Sequence, residues 1–130
     1  MTYLLDTDSV SFAFRGHGNV ATRIRGVKPS DLCISAITVA ELRYGADRKA
    51  SRKLHRLIDT FTSAVEVVPF GEAAALEFGR IGSLLAERGT PIGEFDVLIA
   101  AHAVTLRRIL VTHNIRHFGR VPGLSVENWV

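Results

Sequence analysis

The first carboxylate placed where it could do chemistry is Asp6, which ends the short apolar run of Tyr3, Leu4 and Leu5. Such a run is typical of a buried strand, so we expect the Asp6 side chain at the carboxyl end of that strand. In open α/β sheets this is the edge at which ligands bind. The alternative is that Asp6 caps the following helix, because an aspartate accepts hydrogen bonds from the free N–H groups at a helix start.

Glu41 is the second candidate, and it shares a predicted helix face with Ile37 and Tyr44. We expect this face to point inward. The residues three and four positions away also include Thr38 and Gly45, so no basic residue neutralises Glu41 locally. A buried carboxylate without a partner is costly, so it must be protonated or face a cation. The alternative is a glutamate at the rim of the apolar stripe that reaches water.

Asp96 repeats this situation near the start of a strongly apolar helix, where the helix dipole favours negative charge. Its neighbours three and four positions later are Ile99 and Ala100, so it also has no basic partner. Glu94 lies close by, and we interpret it as an ordinary acidic residue of the first helical turn. One divalent cation would neutralise all three candidates, and their oxygen atoms suit Mg²⁺, with Mn²⁺ as the alternative. Such a cation promotes hydrolysis of phosphodiester bonds by activating water.

Alternating short apolar runs and longer helical patterns predict an α/β domain with a mainly parallel sheet around these residues. Five strands are predicted, at Tyr3 to Asp6, Leu32 to Ser35, Val65 to Pro69, Ile109 to Thr112 and Leu124 to Glu127. Six helices are predicted, at Ser9 to Arg15, Val20 to Val27, Ile37 to Ala46, Arg48 to Thr62, Glu72 to Glu87 and Glu94 to Leu106. No break is long enough for an interdomain linker, so we expect one domain over residues 1–130.

The composition suits an ordinary soluble protein. With 47% hydrophobic residues in 130, the chain can bury a core without disulfides, and Cys33 is the only cysteine. We expect Cys33 to be buried and the protein to work in a reducing cytoplasm, since signal-peptide and membrane-spanning patterns are both missing. The net charge is +3, and thirteen of the sixteen basic residues are arginine, whose planar fork suits phosphate.

Five segments match, in order, the pattern of one known family. They are Tyr3-Leu-Leu-Asp-Thr-Asp8, Ile34-Ser-Ala-Ile-Thr-Val-Ala-Glu-Leu-Arg-Tyr-Gly45, Pro91-Ile-Gly-Glu-Phe-Asp-Val-Leu-Ile-Ala-Ala-His-Ala103, Leu110-Val-Thr-His-Asn-Ile-Arg-His-Phe118 and Val121-Pro-Gly-Leu-Ser-Val-Glu-Asn-Trp129. In these segments the chain resembles the PIN-domain ribonucleases, in particular the VapC toxins of bacterial toxin–antitoxin pairs. The resemblance implies a three-layer α/β/α fold with a central five-stranded sheet, a divalent metal at an acidic cluster, RNA cleavage and a cognate antitoxin.

The resemblance assigns the acidic roles to Asp6, Glu41 and Asp96. It also marks two departures, because Asp8 stands where the family often has asparagine and the neutral Asn114 fills the fourth acidic position. We keep Asn114 as a fourth catalytic candidate, since its amide oxygen could hold a metal-bound water. The resemblance further implies a homodimer, and a small core with many apolar residues agrees with it, among them Phe12, Phe14, Phe61 and Phe78.

Basic and polar residues flank Asn114, and they are candidates for binding the substrate. Thr112 could orient Asn114 through its hydroxyl group, or it could simply be a polar end to a strand. His113, Arg116 and His117 are expected to position phosphates, together with Arg120. The two histidines also have the spacing of a zinc pair, but no further zinc-type ligands accompany them.

A second basic set, Arg48, Arg52 and Arg56, recurs every four residues after Glu41 and predicts one positive helix face. This face could bind RNA or an acidic partner, or it could be an ordinary solvated surface.

Two other functions fit parts of the sequence. The segment from Tyr3 to Val10 resembles the aspartate-x-aspartate opening of haloacid dehalogenase-like phosphatases, but no lysine follows Lys53 and no acidic pair follows Asp96. The second alternative is a catalytically inactive PIN-fold module that binds RNA, because Asn114 is neutral.

Overall fold

The structure is a computed structural model that describes residues 1–130. Its strands are β1 (Tyr3–Leu5), β2 (Leu32–Ser35), β3 (Glu66–Val68), β4 (Ile109–Val111) and β5 (Val126–Glu127). All five pair in parallel in the order β3-β2-β1-β4-β5, which places β1 in the centre. The predicted sheet is therefore confirmed, and the carboxyl ends of all its strands meet at one edge.

Seven α-helices connect the strands. They are α1 (Thr7–Arg15), α2 (Val20–Arg25), α3 (Ala36–Arg48), α4 (Arg52–Ala64), α5 (Glu72–Glu87), α6 (Glu94–Leu106) and α7 (Ile115–Phe118). A short 3-10 helix, Pro29–Asp31, precedes β2. No helix is long and apolar enough to cross a membrane.

Helices cover both faces of the sheet because successive strand residues point to opposite sides. On one face, Leu4 belongs to a buried cluster that includes Ile81 of α5 and Ile99 of α6. On the other face, Leu5 belongs to a cluster with Val10 of α1, and also Leu42 of α3 and Ile58 of α4. This is the predicted three-layer α/β/α architecture. Cys33 is buried in the first cluster, as expected, and burial raises its pKa to about 11.

One predicted helix boundary is wrong, and it affects the basic set. Arg48 is the last residue of α3, and Ala50 then adopts a left-handed conformation with φ 49°. Ser51 caps the next helix, because its hydroxyl oxygen accepts a hydrogen bond from the Leu54 N–H at 3.1 Å. Arg48 therefore does not lie on the helix that carries Arg52 and Arg56, and the predicted single helix face does not exist.

The four phenylalanines that suggested an excess of apolar residues pack within this chain. Phe12, Phe14 and Phe61 lie against one buried cluster, and Phe78 lies against the other. They are therefore not a reason to expect a second subunit. The exposed apolar side chains are others, chiefly Tyr44, Leu76 and Phe95 on α3, α5 and α6.

Candidate active site

Asp6 is both the end of the central strand and the cap of a helix, so the two interpretations of its position are both correct. Its N–H donates to the Val111 carbonyl oxygen at 3.0 Å and so continues the pairing of β1 with β4. Its carboxylate Oδ1 accepts from the Ser9 N–H at 2.8 Å and caps α1. The residue is only 6% exposed, yet its side chain lies at the carboxyl edge of the sheet.

Burial raises the pKa of the Asp6 carboxyl above its usual range. Hydrogen bonds from Thr112 and Ser9 oppose this shift, and the nearby charge of Asp8 adds to it. The ionised form is therefore held by hydrogen bonds in a place that disfavours it, and a cation at this position would stabilise it.

Glu41 reaches the same edge from α3. Its Oε1 accepts a hydrogen bond of 2.6 Å from the hydroxyl group of Thr7, which begins α1 next to Asp6. Burial raises the pKa of Glu41, the Thr7 hydrogen bond lowers it, and the charges of Asp96, Asp8 and Asp6 raise it further. The predicted inward face of α3 is only partly correct. Tyr44 is 70% exposed, so Glu41 lies at the boundary between core and solvent.

Asp96 lies in the first turn of α6, directly after a sharp turn of the backbone. Gly93 precedes the helix with φ 95°, a conformation that side chains rarely adopt. His117 holds this region, because its Nε2 lies 2.8 Å from Oδ2 of Asp96 and 2.7 Å from the carbonyl oxygen of Ile92. Burial raises the pKa of Asp96, contact with His117 opposes the rise, and Asp8 adds to it.

These contacts define one acidic cluster, which consists of Asp6, Asp8, Glu41 and Asp96. Its members come from the end of β1, from α1, from α3 and from α6, and Asp8 acts electrostatically on each of the other three. Asp8 was not predicted as a site residue. Its position two residues after Asp6 was the available signal, because both lie at the same helix start.

The chemistry of the acidic cluster fits a hydrated divalent cation. Oε2 of Glu41 and Oδ1 of Asp96 accept no hydrogen bond from the protein, so each carboxylate keeps a free oxygen. No group of three or more His, Cys, Asp or Glu side chains converges closely enough to enclose a metal ion. Mg²⁺ commonly keeps several waters and takes only one or two protein carboxylates, so it does not require such a cage.

The residues around Asn114 lie beside the acidic cluster, but each of them contacts a different partner. Thr112 is fully buried, and its hydroxyl oxygen accepts the Asn114 N–H at 3.0 Å, so it holds the backbone of Asn114. Asn114 is exposed and precedes α7. His113 Nδ1 lies 4.0 Å from Asp8, whereas His117 contacts Asp96. The two histidines thus have separate partners and do not form a zinc pair.

Arg116 and Arg120 are exposed near the same edge of the sheet, at and just beyond α7. Neither forms a salt bridge, so both guanidinium groups remain available to phosphate.

Two surface depressions adjoin Glu41. A cleft of about 630 Å³ is lined by Ala40, Glu41, Tyr44 and Phe95. A groove of about 160 Å³ runs between α1, α3 and α4, and its wall includes Phe14, Leu42, Leu54 and Ile58. The carboxylate therefore borders apolar surface on two sides.

Comparison with known proteins shows which family this chain is similar to. The family model described as PIN domain matches residues 3–124. The tRNA(fMet)-specific endonuclease VapC of Salmonella typhimurium is 35% identical over 130 residues, covering 99% of this chain and 98% of that protein. Ribonuclease VapC2 of Rickettsia felis is 33% identical over 132 residues, with coverage of 99% and 98%.

Solved structures agree with these sequence matches. The crystal structure of VapBC2 from Rickettsia felis, bound to a DNA fragment from its promoter, contains a chain that superposes with a TM-score of 0.89. That chain is 32% identical, and the match covers 100% of both chains. A chain of DNA-bound VapBC from Salmonella typhimurium gives a TM-score of 0.88 at 34% identity, covering 100% of this chain and 99% of that one.

Proposed function

The chain belongs to the PIN-domain family, and within it to the VapC ribonucleases, and from this membership we propose a metal-dependent endoribonuclease that acts as the toxin of a toxin–antitoxin pair. The proposed substrate is RNA, the proposed cofactor is Mg²⁺ or Mn²⁺, and the proposed place of action is the cytoplasm. Family membership removes the haloacid dehalogenase-like phosphatase as an alternative. An experiment must distinguish the ribonuclease from the other alternative, a catalytically inactive module that binds RNA.

The observation that supports this proposal most directly is the acidic cluster. Three partly or fully buried carboxylates have raised pKa values, and the surrounding carboxylates contribute to each rise. An arrangement of this kind costs free energy in the absence of a cation. Its location at the carboxyl edge of a parallel sheet is where α/β proteins bind ligands.

In this mechanism Asp6, Glu41 and Asp96 would hold the cation. A bound divalent cation supplies positive charge to the phosphate and lowers the pKa of a water molecule. Thr7 fixes one oxygen of Glu41 and His117 fixes one oxygen of Asp96, so the other oxygen of each carboxylate stays available. Arg116 and other exposed basic groups would orient the RNA backbone.

Purified protein tests the reaction class. We expect it to release fragments from tRNA in the presence of Mg²⁺ or Mn²⁺, to stop in EDTA, and to leave a small phosphomonoester intact. Sequencing the new RNA ends from a mixture of tRNA, ribosomal RNA and messenger RNA would define the substrate. RNA binding without cleavage under all metal conditions would favour the inactive module instead.

We also propose an antitoxin partner that inhibits the enzyme by placing a basic side chain where the cation would bind. The solved relatives from Rickettsia felis and Salmonella typhimurium are VapBC complexes. A partner segment could cover the groove lined by Phe14, Leu42 and Ile58 and place an arginine or lysine beside Glu41. Such a segment should compete with both Mg²⁺ and RNA. An antitoxin that still inhibits after all its basic residues are changed to alanine would eliminate this mechanism but not the ribonuclease.

A further inference from the structure

Three aromatic rings form a row on the surface near α1. The proposed mechanism assigns no role to their ring faces. The Phe12 ring centroid lies 4.8 Å from that of His17 and 4.9 Å from that of His113. We call Phe12, His17 and His113 the aromatic row. His17 follows the end of α1, and His113 lies between β4 and α7, so two distant parts of the chain meet on Phe12.

The aromatic row is open to solvent and lies beside a positive charge. His17 is exposed, the His113 side chain is 39% exposed, and Phe12 between them is partly buried. The guanidinium carbon of Arg15 lies 5.1 Å from the centroid of the Phe12 ring. The two histidine rings are therefore accessible beside a cation, an arrangement that differs from a purely apolar contact surface.

One end of the aromatic row lies at the acidic cluster. Nδ1 of His113 is 4.0 Å from Oδ2 of Asp8. Asp8 and Phe12 are four residues apart on α1, so their side chains are neighbours on one face of that helix. The row therefore leads outward from the proposed site of cleavage along α1.

We propose that the aromatic row is a subsite that stacks an unpaired nucleobase of the RNA, next to the bond that is cut. Proteins that recognise single-stranded RNA commonly stack its bases on aromatic, histidine or arginine planes. Arg15 would bind a phosphate next to the stacked base. A protein partner is the less suited occupant, because the more apolar surface is the groove between α1, α3 and α4, which Arg15 borders but which none of the three rings lines. This inference rests on the proposed function, since it requires RNA as the substrate.

The test separates ring stacking from charge. A single-stranded RNA that carries the fluorescent base 2-aminopurine is titrated with full-length protein in Mg²⁺, in an Asp96→Asn background that we expect not to cleave. Stacking quenches this base. His17→Phe and His113→Phe keep a ring and should retain both affinity and quenching. His17→Lys and His113→Lys keep a basic group but lose the ring, and each should weaken binding by about fivefold or more and reduce quenching.

Equal or tighter binding by the lysine variants would overturn the proposal, because the contact would then be one of charge alone. Unchanged binding and quenching in all four variants would also overturn it. Loss of antitoxin binding with normal RNA binding would assign the row to a protein partner. Thermal unfolding checks that each variant is folded. If the otherwise unchanged protein neither binds nor cuts RNA, the proposed function itself fails, whereas normal cleavage with unaffected row variants rejects this inference alone.

Discussion

Glu41 illustrates how the charges of the acidic cluster act on a single side chain. Its pKa is raised by burial and by Asp96, Asp8 and Asp6, so the folded protein holds this proton to higher pH than the unfolded chain does. Stability without metal must therefore fall as pH rises from the unfolded value of about 4.3 through the raised folded value.

We predict that Glu41→Gln makes the metal-free protein more stable at neutral pH, because it removes a charge that the fold disfavours. The melting temperature in EDTA should exceed that of the parent by a few degrees at pH 7, and the difference should shrink toward pH 4. Added Mg²⁺ should raise the melting temperature of the parent more than that of the variant. A variant that melts below its parent at pH 7 in EDTA would contradict the assignment.

Asn114 is the second residue whose role a single substitution can decide. Asn114 lies two residues after Thr112. The Thr112 hydroxyl group contacts the Asn114 backbone and also hydrogen-bonds Asp6, so the Asn114 side chain begins close to the acidic cluster. We predict that Asn114→Asp tightens binding of Mg²⁺, because a fourth carboxylate adds charge and a stronger ligand. Calorimetric titration with Mg²⁺ measures this directly. Unchanged affinity would place Asn114 outside the metal environment.

At the scale of helices and strands, His102 connects the two helices that carry Glu41 and Asp96. It is buried in α6, and its Nδ1 lies 2.8 Å from the hydroxyl oxygen of Ser35, the residue that caps α3. Burial lowers the pKa of His102, and a hydrogen bond to the Pro69 backbone opposes this shift. Folding therefore favours the neutral imidazole at this junction.

The sign of that shift gives a prediction. Because the folded pKa lies below the unfolded value of about 6.5, stability from His102 is present above that pH and is lost as the pH falls. His102→Gln should remove this loss and flatten the decline in melting temperature between pH 7 and pH 5, whatever its effect at pH 7. His17→Gln, at an exposed position, serves as the control. An unchanged acid-side decline in the His102 variant would show that this histidine does not govern it.

The sequence predicted these elements well where periodicity or strong breaks marked them. The helices from Glu72 to Glu87 and from Glu94 to Leu106 agree with the structure at both ends, and all five strands are present. The four-residue α7 was missed, because so short a segment shows no period. The start of α4 was predicted at Arg48 instead of Arg52, although Ser51 carried the signal of a helix cap.

The sequence singled out three acidic residues that the structure brings to one edge of the sheet, but it did not show the contacts that position them. Three carboxylates without local counterions could be found by spacing alone. The hydrogen bonds from Thr7 to Glu41 and from His117 to Asp96 join residues that are 34 and 21 positions apart. Such pairs form only when the sheet brings separate helices together, so no local pattern shows them.

At the scale of the whole molecule, exposed apolar side chains favour the homodimer that the sequence analysis predicted. Tyr44 and Phe95 line one cleft and are 70% and 55% exposed, and Leu76 on α5 is 77% exposed. An isologous two-fold contact is the commonest way to cover such surface. We predict a dimer by sedimentation at micromolar concentration and a shift toward monomer in Tyr44→Lys. A parent protein that sediments only as a monomer would reject the dimer.

The central claim is that a divalent cation held by the acidic cluster cleaves RNA, and the rate of single-turnover cleavage as a function of Mg²⁺ concentration tests it most directly. The comparison uses the parent protein, Asp96→Asn, and Glu94→Gln as a matched control two residues away in the same helical turn. We predict that Asp96→Asn cleaves at least about a hundredfold more slowly at limiting Mg²⁺, while Glu94→Gln follows the parent. An Asp96→Asn protein that cleaves as fast as the parent at limiting Mg²⁺ would contradict the account.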